Sequence, residues 1–238
     1  MTSQLCAFCG NDDSDERLTT EHFVPRALWD GARPPYTRTV PVHDTCNRHF
    51  SGDNEYFRDV LVMEDGAKAH PEVQKLLKGK IKRKIHKRPG AIKNALKNLQ
   101  MREVRTPGGL YLGHAPSFSM DWPRIRRVLQ NVMKGIFYSV QNRPLSADTV
   151  YQVVPIESQE DERALADLEP LIAQMNPWVG FGDDVFACRY VFEEKAGDVL
   201  LCFMQFYRHR IFMGSAISKV VSDLAAAKAR EPFGHEQK

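Results

Sequence analysis

The chain has 238 residues, 42% of them hydrophobic and 26% charged, with 33 Lys and Arg against 30 Asp and Glu for a formal charge of +3. That length can bury one large or two small cores, and the balance excludes a disordered tail, a collagen-like repeat and a long coiled coil. The opening MTSQLCAFCG lacks the basic-then-apolar layout of a secretion signal, and no apolar run approaches the ~20 residues a membrane span needs. A soluble, cytoplasmic protein with no membrane partner is expected.

Four regions separate by pattern. Residues 1–64 are short segments rich in Cys, His, Asp and turn formers, ending in an apolar, helix-like run, EYFRDVLVM. The segment 65–110 is basic and helical by spacing. Val73, Leu76, Leu77, Ile81 and Ile85 share one face, Arg88-Pro89-Gly90 breaks the pattern, and a second short helix carries Ile92, Ala95, Leu96 and Leu99. Residues 111–238 are expected to form an α+β accessory domain serving target choice, oligomerisation or docking. It opens after Pro107-Gly108-Gly109 with a helix starting at Asp121-Trp122-Pro123, whose apolar stripe runs from Ile125 to Val140. A strand near Tyr151–Ile156 and an acidic helix near Glu160–Gln174 come next. Val185–Phe192, Val199–Tyr207 and Arg210–Gly214 then read as an antiparallel meander turned at 195–198. A last helix is expected over Ser215–Ala229, with Ile217, Val220, Val221 and Leu224 inward. The fold class is α+β.

Charge is unevenly spread. Between Lys68 and Arg105 there are 13 Lys and Arg against two acids, whereas Glu157–Asp198 holds 11 Asp and Glu against three bases. The basic section suits a polyanion, and a solvated helix face accounts for it equally well. Five cysteines without an export signal argue against a disulfide framework. Cys188 and Cys202 lie in apolar runs and read as small core residues. Cys6-x-x-Cys9 and His43-x-x-Cys46 are a different matter. Two pairs, each with a two-residue gap, can supply the four corners of a tetrahedron, and three thiolates with one imidazole suit structural Zn²⁺. The alternative is a free Cys pair and a surface His.

Between the two pairs lies Thr20-Glu21-His22-Phe23-Val24-Pro25, and Asn47-Arg48-His49-Phe50 follows the last cysteine. A carboxylate, an amide and an imidazole combine oxygen ligands for a hard cation with a proton acceptor active near neutral pH. Without the metal frame, a surface Glu and a packed His would explain the dipeptide.

With that frame, residues 5–63 resemble the zinc-ribbon branch of the HNH endonucleases. The resemblance rests on Cys-x-x-Cys, Glu-His-x-x-Pro, Val-Pro-Val-His-x-x-Cys-Asn and Phe-Ser-x-x-x-Glu-Tyr-Phe. It implies a ββα-metal module, two strands and a helix around a catalytic Mg²⁺ or Mn²⁺, with the zinc purely structural. Carried over by position, Glu21 stands where the family usually has Asp, Glu21 and Asn47 ligate the ion, and His22 is the general base. The third family position is Phe50 here, with His49 one place earlier, as ligand or phosphate contact. The middle family position falls near Arg38, and His43 replaces a commoner Cys. The resemblance implies phosphodiester hydrolysis leaving 5′-phosphate and 3′-hydroxyl ends. Nucleic acid, DNA first, becomes the expected partner, and by analogy phage defence or a mobile element the setting. Lys78, Lys80, Lys82, Arg83, Lys84, Lys87 and Arg88 would then neutralise phosphates flanking the cut. Trp29 and Tyr36 would stack on bases or pack in the protein.

Two rivals remain at this level. One is a zinc-stabilised nucleic-acid-binding module of HNH descent that no longer cuts, which the departures at Phe50 and Arg38 favour. The other is an interaction protein whose acidic section docks a partner or pairs with the basic section. The carboxy-terminal half could also mediate a homodimer or hold a protein partner.

Overall fold

The computed structural model describes residues 4–14, 16–31, 38–87, 99–106, 108–157, 161, 163, 165–193 and 199–223. The architecture is α+β with three antiparallel sheets among the described residues. Strands β1 (Leu18–His22) and β2 (Thr39–His43) pair so that Leu18 faces His43 and His22 faces Thr39. The chain turns from β2 directly into helix α1 (Asp44–His49) and then α2 (Ser51–Met63). The EYFRDVLVM run thus forms the body of α2, burying Phe57, Val60, Leu61 and Val62.

The basic segment begins as helix α3 (Pro71–Leu76), passes through a π-helical turn at Leu77–Ile81 and continues as α4 (Lys82–Lys87). Val73 and Leu76 are buried as their spacing predicts, but Ile85 is exposed. The second helix expected here lies outside the described residues except for Leu99, which opens a strand instead. β3 (Leu99–Arg105) and β4 (Tyr111–Phe118) form a hairpin that the sequence pattern does not announce. Met101, Val104, Leu110 and Leu112 are all exposed, so no buried face imposes an alternation to be read.

Helix α5 (Trp122–Gln141) organises the molecule. The Asp121 side chain accepts from the Arg124 N–H at 3.4 Å, and Asn142 ends the helix in the left-handed region at φ 53°. Ile125, Val128, Leu129, Val132, Met133, Ile136 and Phe137 are buried, whereas Val140, at the end of the predicted stripe, is 42% exposed. One face of α5 meets the amino-terminal segment so closely that a Cβ on Gly135 would lie 1.9 Å from the Phe23 Cβ. Met133 reaches the other way, its Sδ 2.7 Å from where a Cβ on Gly214 would sit. Asp53 of α2 binds both Arg124, at 2.6 Å, and Arg127, at 2.7 Å.

The remaining strands are β5 (Thr149–Ile156), β6 (Val179–Phe181), β7 (Phe186–Glu193), β8 (Val199–Phe206) and β9 (Arg210–Ser218), in the order β5-β9-β8-β7-β6. The expected meander is present, while its turn at 195–198 lies outside the described residues. β9 runs longer than its sequence suggests, because Ser218 pairs with Thr149 and Ile217 with both Val150 and Val199. The last helix therefore starts after Ser218, at 219–223, and Val220 points to solvent rather than inward. Where an acidic helix was expected over Glu160–Gln174, the described part is helical at 161 and 163, then a 3-10 turn, Ala166–Leu168, and the short helix α6 (Glu169–Ile172). No helix among the described residues is long and apolar enough to cross a membrane. Buried side chains from Cys6 through Ala216 belong to one hydrophobic cluster, so stretches that differ in composition share a core.

Candidate metal centre and adjoining cavity

The sulfurs of Cys6, Cys9 and Cys46 and a ring nitrogen of His43 all lie within 4.8 Å of one another, so these four residues could hold a metal ion. Local structure explains the convergence. Cys6 and Cys9 sit on a tight turn in which Gly10 N–H donates to the Cys6 carbonyl at 2.9 Å, and Gly10 supplies the required positive φ of 82°. The Ala7 N–H donates to the Pro41 carbonyl at 2.8 Å, fastening that turn to β2. His43 ends β2 and Cys46 lies in the first turn of α1, which brings the second pair to the same point.

The donors are prepared for a cation. His43 Nε2 donates to the Asp12 carbonyl at 2.8 Å, leaving Nδ1 to face Cys9 Sγ at 3.3 Å. This outer hydrogen bond fixes tautomer and ring orientation as metal-bound histidines require. Burial alone would raise the Cys6 thiol, but backbone hydrogen bonds at Cys9, His43 and Phe8 outweigh it and hold it below the ordinary thiol value. Burial, then the negative charge of Cys6 and Cys9, pushes Cys46 up to about 12. Cys9 is raised as well, first by burial. Three thiolates in so small a volume repel one another unless a dication neutralises them, and the soft donor set fits Zn²⁺. Lys134 of α5 adds a positive charge nearby, its Nζ donating to the Phe8 carbonyl at 2.6 Å, and burial holds its ammonium below the ordinary lysine value.

Next to this centre is a cavity of about 400 Å³ whose lining includes Glu21, His22, Asn47 and Phe50. Glu21 and His22 end β1, and Asn47 follows Cys46 on α1. The structure brings Glu21 and Asn47 together, the amide Nδ2 donating to Glu21 Oε2 at 3.0 Å. A half-turn of the Asn47 amide would put its oxygen beside that carboxylate, giving two oxygen donors suited to a hard cation. His49 is not brought in. It is exposed, its ring edge-on to Phe50 at 5.1 Å, and Phe50 takes the place on the cavity wall. Arg38 also lies apart, near Cys188 and Tyr190, whose ionisation it favours against the upward push of burial.

The basic residues divide. Lys80 lines the cavity, its ammonium bonded to the Trp29 carbonyl and its backbone N–H donating to Asp30 Oδ1 at 3.0 Å. Arg83 faces Asp30 at 3.6 Å, and Lys84 binds Asp59 at 2.6 Å with Glu55 at 3.6 Å. These pairs draw on acids of the amino-terminal segment, while Glu157 and Asp184 of the acidic section pair with Arg210 and Arg208. Lys78, Lys82 and Lys87 are exposed without an ion pair among the described residues, and Arg88 and Tyr36 lie outside them. Trp29 is buried, 3% exposed, which makes it a core residue and removes it as a stacking platform.

Sequence reading missed Arg26, Asn54, Arg58 and Asn131, all of which line the cavity. A signal was there for three of them. Ser51, Asn54, Glu55 and Arg58 recur at three- and four-residue steps along α2, a polar stripe beside an apolar one, and Asn131 lies three residues beyond Val128 on α5. In a comparison with known proteins, the chain matches no family model, no curated protein and no solved structure, so the resemblance to HNH enzymes rests on the quoted motifs alone.

Proposed function

We propose that the protein is a metal-dependent endonuclease of the HNH type, hydrolysing phosphodiester bonds of nucleic acid, DNA first. The observation that carries this reading is the 3.0 Å contact of Glu21 with Asn47 in a cavity that His22 also lines, on a strand-strand-helix unit beside the Cys₃His cluster. Either Mg²⁺ or Mn²⁺, bound by Glu21 and Asn47, would supply positive charge at the scissile phosphate. His22, as neutral imidazole, takes a proton from water, the resulting hydroxide forms the new bond to phosphorus, and the bond to the 3′-oxygen breaks. The leaving oxygen picks up a proton, so the products are a 5′-phosphate and a 3′-hydroxyl. Zinc at Cys6, Cys9, His43 and Cys46 holds the strand-helix corner that carries Asn47. Exposed Lys78, Lys82 and Lys87 supply phosphate contacts that position without reading sequence.

A second reading, a nucleic-acid-binding module that does not cut, is favoured by Phe50 on the cavity wall with His49 outside it. Supercoiled plasmid separates the two. Wild-type protein with Mg²⁺ or Mn²⁺ is expected to nick it, while His22→Ala and a chelator control leave it intact. Retardation of the plasmid by both proteins without any nicking would transfer the conclusion to the binding module.

A further inference from the structure

The cavity contains more polar chemistry than a bound ion and a water nucleophile use. Asn131, on the buried side of α5, is 8% exposed, lines the cavity beside Val128 and has no hydrogen bond to its side-chain amide among the described residues. The Asn54 amide on α2, half-buried, also lines the cavity and has no hydrogen bond among the described residues. Both amides open into the cavity without a protein partner, so they are free to pair with water or with whatever enters it.

Two cations share this space. Arg58, 5% exposed, is fixed through Nε and Nη2 to Asp59 at 2.9 and 2.5 Å, and Asp59 is held from its other oxygen by Lys84. Two of its five N–H donors are thereby occupied, leaving three. Lys80 comes from the π-helical turn, a distortion frequently found at functional sites. Gly79 in that turn leaves room for the Asp30 carboxylate, whose oxygens would lie 2.5 Å from a Cβ there. Burial first, then repulsion by Arg58, lowers the Lys80 ammonium from its ordinary value, with Asp30 and Glu72 opposing. Phe8 and Phe50, edge-to-face at 6.2 Å, complete an apolar wall.

An amide offers one donor and one acceptor side by side, the complement of a base edge, whereas guanidinium and ammonium groups match a phosphate. In a duplex the Watson–Crick edges are paired inside the stack, so such an edge meets a buried amide only after leaving the stack or from a single strand. The volume of about 400 Å³ falls within the range of small-ligand pockets, roughly 300–1,000 Å³. We propose that the cavity takes one unpaired nucleotide of a single-stranded nucleic acid, its phosphate on Arg58 and Lys80 and its base edge on Asn54 and Asn131. This rests on the nuclease reading for what is done to that nucleotide, but not for its binding.

The test is fluorescence anisotropy with full-length, zinc-loaded protein and no added Mg²⁺ or Mn²⁺. The probes are labelled single-stranded DNA and RNA of one sequence and the corresponding DNA duplex. Single strands are expected to bind about tenfold more tightly than the duplex. Asn54→Ala, Asn131→Asp and Arg58→Gln are each expected to lose about tenfold on the single strand with duplex binding unchanged. The DNA and RNA arms show which sugar is taken. Asn54 lies on a half-buried helix face, so its variant keeps the test open if Asn131→Asp misfolds. Equal affinity for single strand and duplex, or variants that bind the single strand like wild type, would overturn the proposal. Strand preference without cleavage on adding Mg²⁺ would leave this site standing and remove the nuclease. Cleavage without strand preference would do the reverse.

Discussion

The corner around Cys6 and the five-stranded sheet are held together by different forces. β1 has no fully buried residue, whereas β8 buries Leu200, Cys202, Phe203, Met204 and Phe206. The first region gathers four donor atoms that could hold a metal ion, three of them sulfurs, which repel one another when ionised. In the second, shape depends on apolar area removed from water, at roughly 25 cal/mol per Å². The corner shares the common core through Cys6, Ala7, Val40 and Val42, all buried, so a metal there would add to burial rather than replace it. Such a corner answers to chelators and pH, and the sheet to cavities and overpacking.

Removing the metal should break that comparison most. Structural zinc contributes about 10–16 kcal/mol of apparent binding energy in small zinc modules, comparable to the whole stability of a domain. One zinc per chain is expected by elemental analysis, and none bound with wild-type affinity in Cys6→Ser or Cys46→Ser. Chelation should expose the corner to protease before the sheet loses its circular dichroism. Simultaneous loss of both would show that the sheet leans on the metal as well.

Gly135 lies where the two regions meet across α5. Gly135→Ala forces a methyl group against Phe23 and should cost about 1–3 kcal/mol in denaturant unfolding. An unchanged midpoint would mean that this packing is looser than the 1.9 Å approach implies. Tyr207→Phe tests the polar link, since its hydroxyl donates to the Leu28 carbonyl at 2.8 Å in a buried setting. Leaving that carbonyl unpaired should cost about 1–3 kcal/mol.

The smallest effect expected is a pH dependence at His70. Burial pushes its imidazole below the ordinary value, with the Asp183 carbonyl opposing. Its Nδ1 accepts from the Glu72 N–H at 3.2 Å and its Nε2 donates to Asp183 O at 3.1 Å, a neutral arrangement that a second proton disrupts. The unfolded chain takes up that proton first. The contribution is therefore complete above the unfolded value of about 6.5 and is lost as pH falls from there through the folded value. Urea midpoints at pH 8 and pH 5 should differ more in wild type than in His70→Gln, and equal differences would assign the loss elsewhere.

Much of this was written locally. The four zinc-type donors, the α5 stripe and the meander are visible because each is set by spacing alone, two residues between ligands, three and four along a helix, two along a strand. The nearness of Glu21 and Asn47 was implied only by the family resemblance; pairing of β1 with β2, with Glu21 opposite Val40, brings it about. The β3–β4 hairpin was not visible because neither of its faces is buried, and the length of β9 is fixed by pairing with Thr149 and Val199, far away in sequence.

The sequence by itself determined the chemistry available: which donors could meet a metal, which helix would be buried, where cations gather. Only the tertiary structure decided which polar groups face the cavity. Spacing puts Arg58 and Asn131 near the boundary of an apolar face without saying that each would line the cavity, and Lys80 lines it whereas Lys78, in the same π-helical turn, is exposed. Those choices come from packing between segments 50 or more residues apart, as where Lys80 meets Asp30 and Asp53 of α2 meets Arg124 of α5, and no local period encodes them.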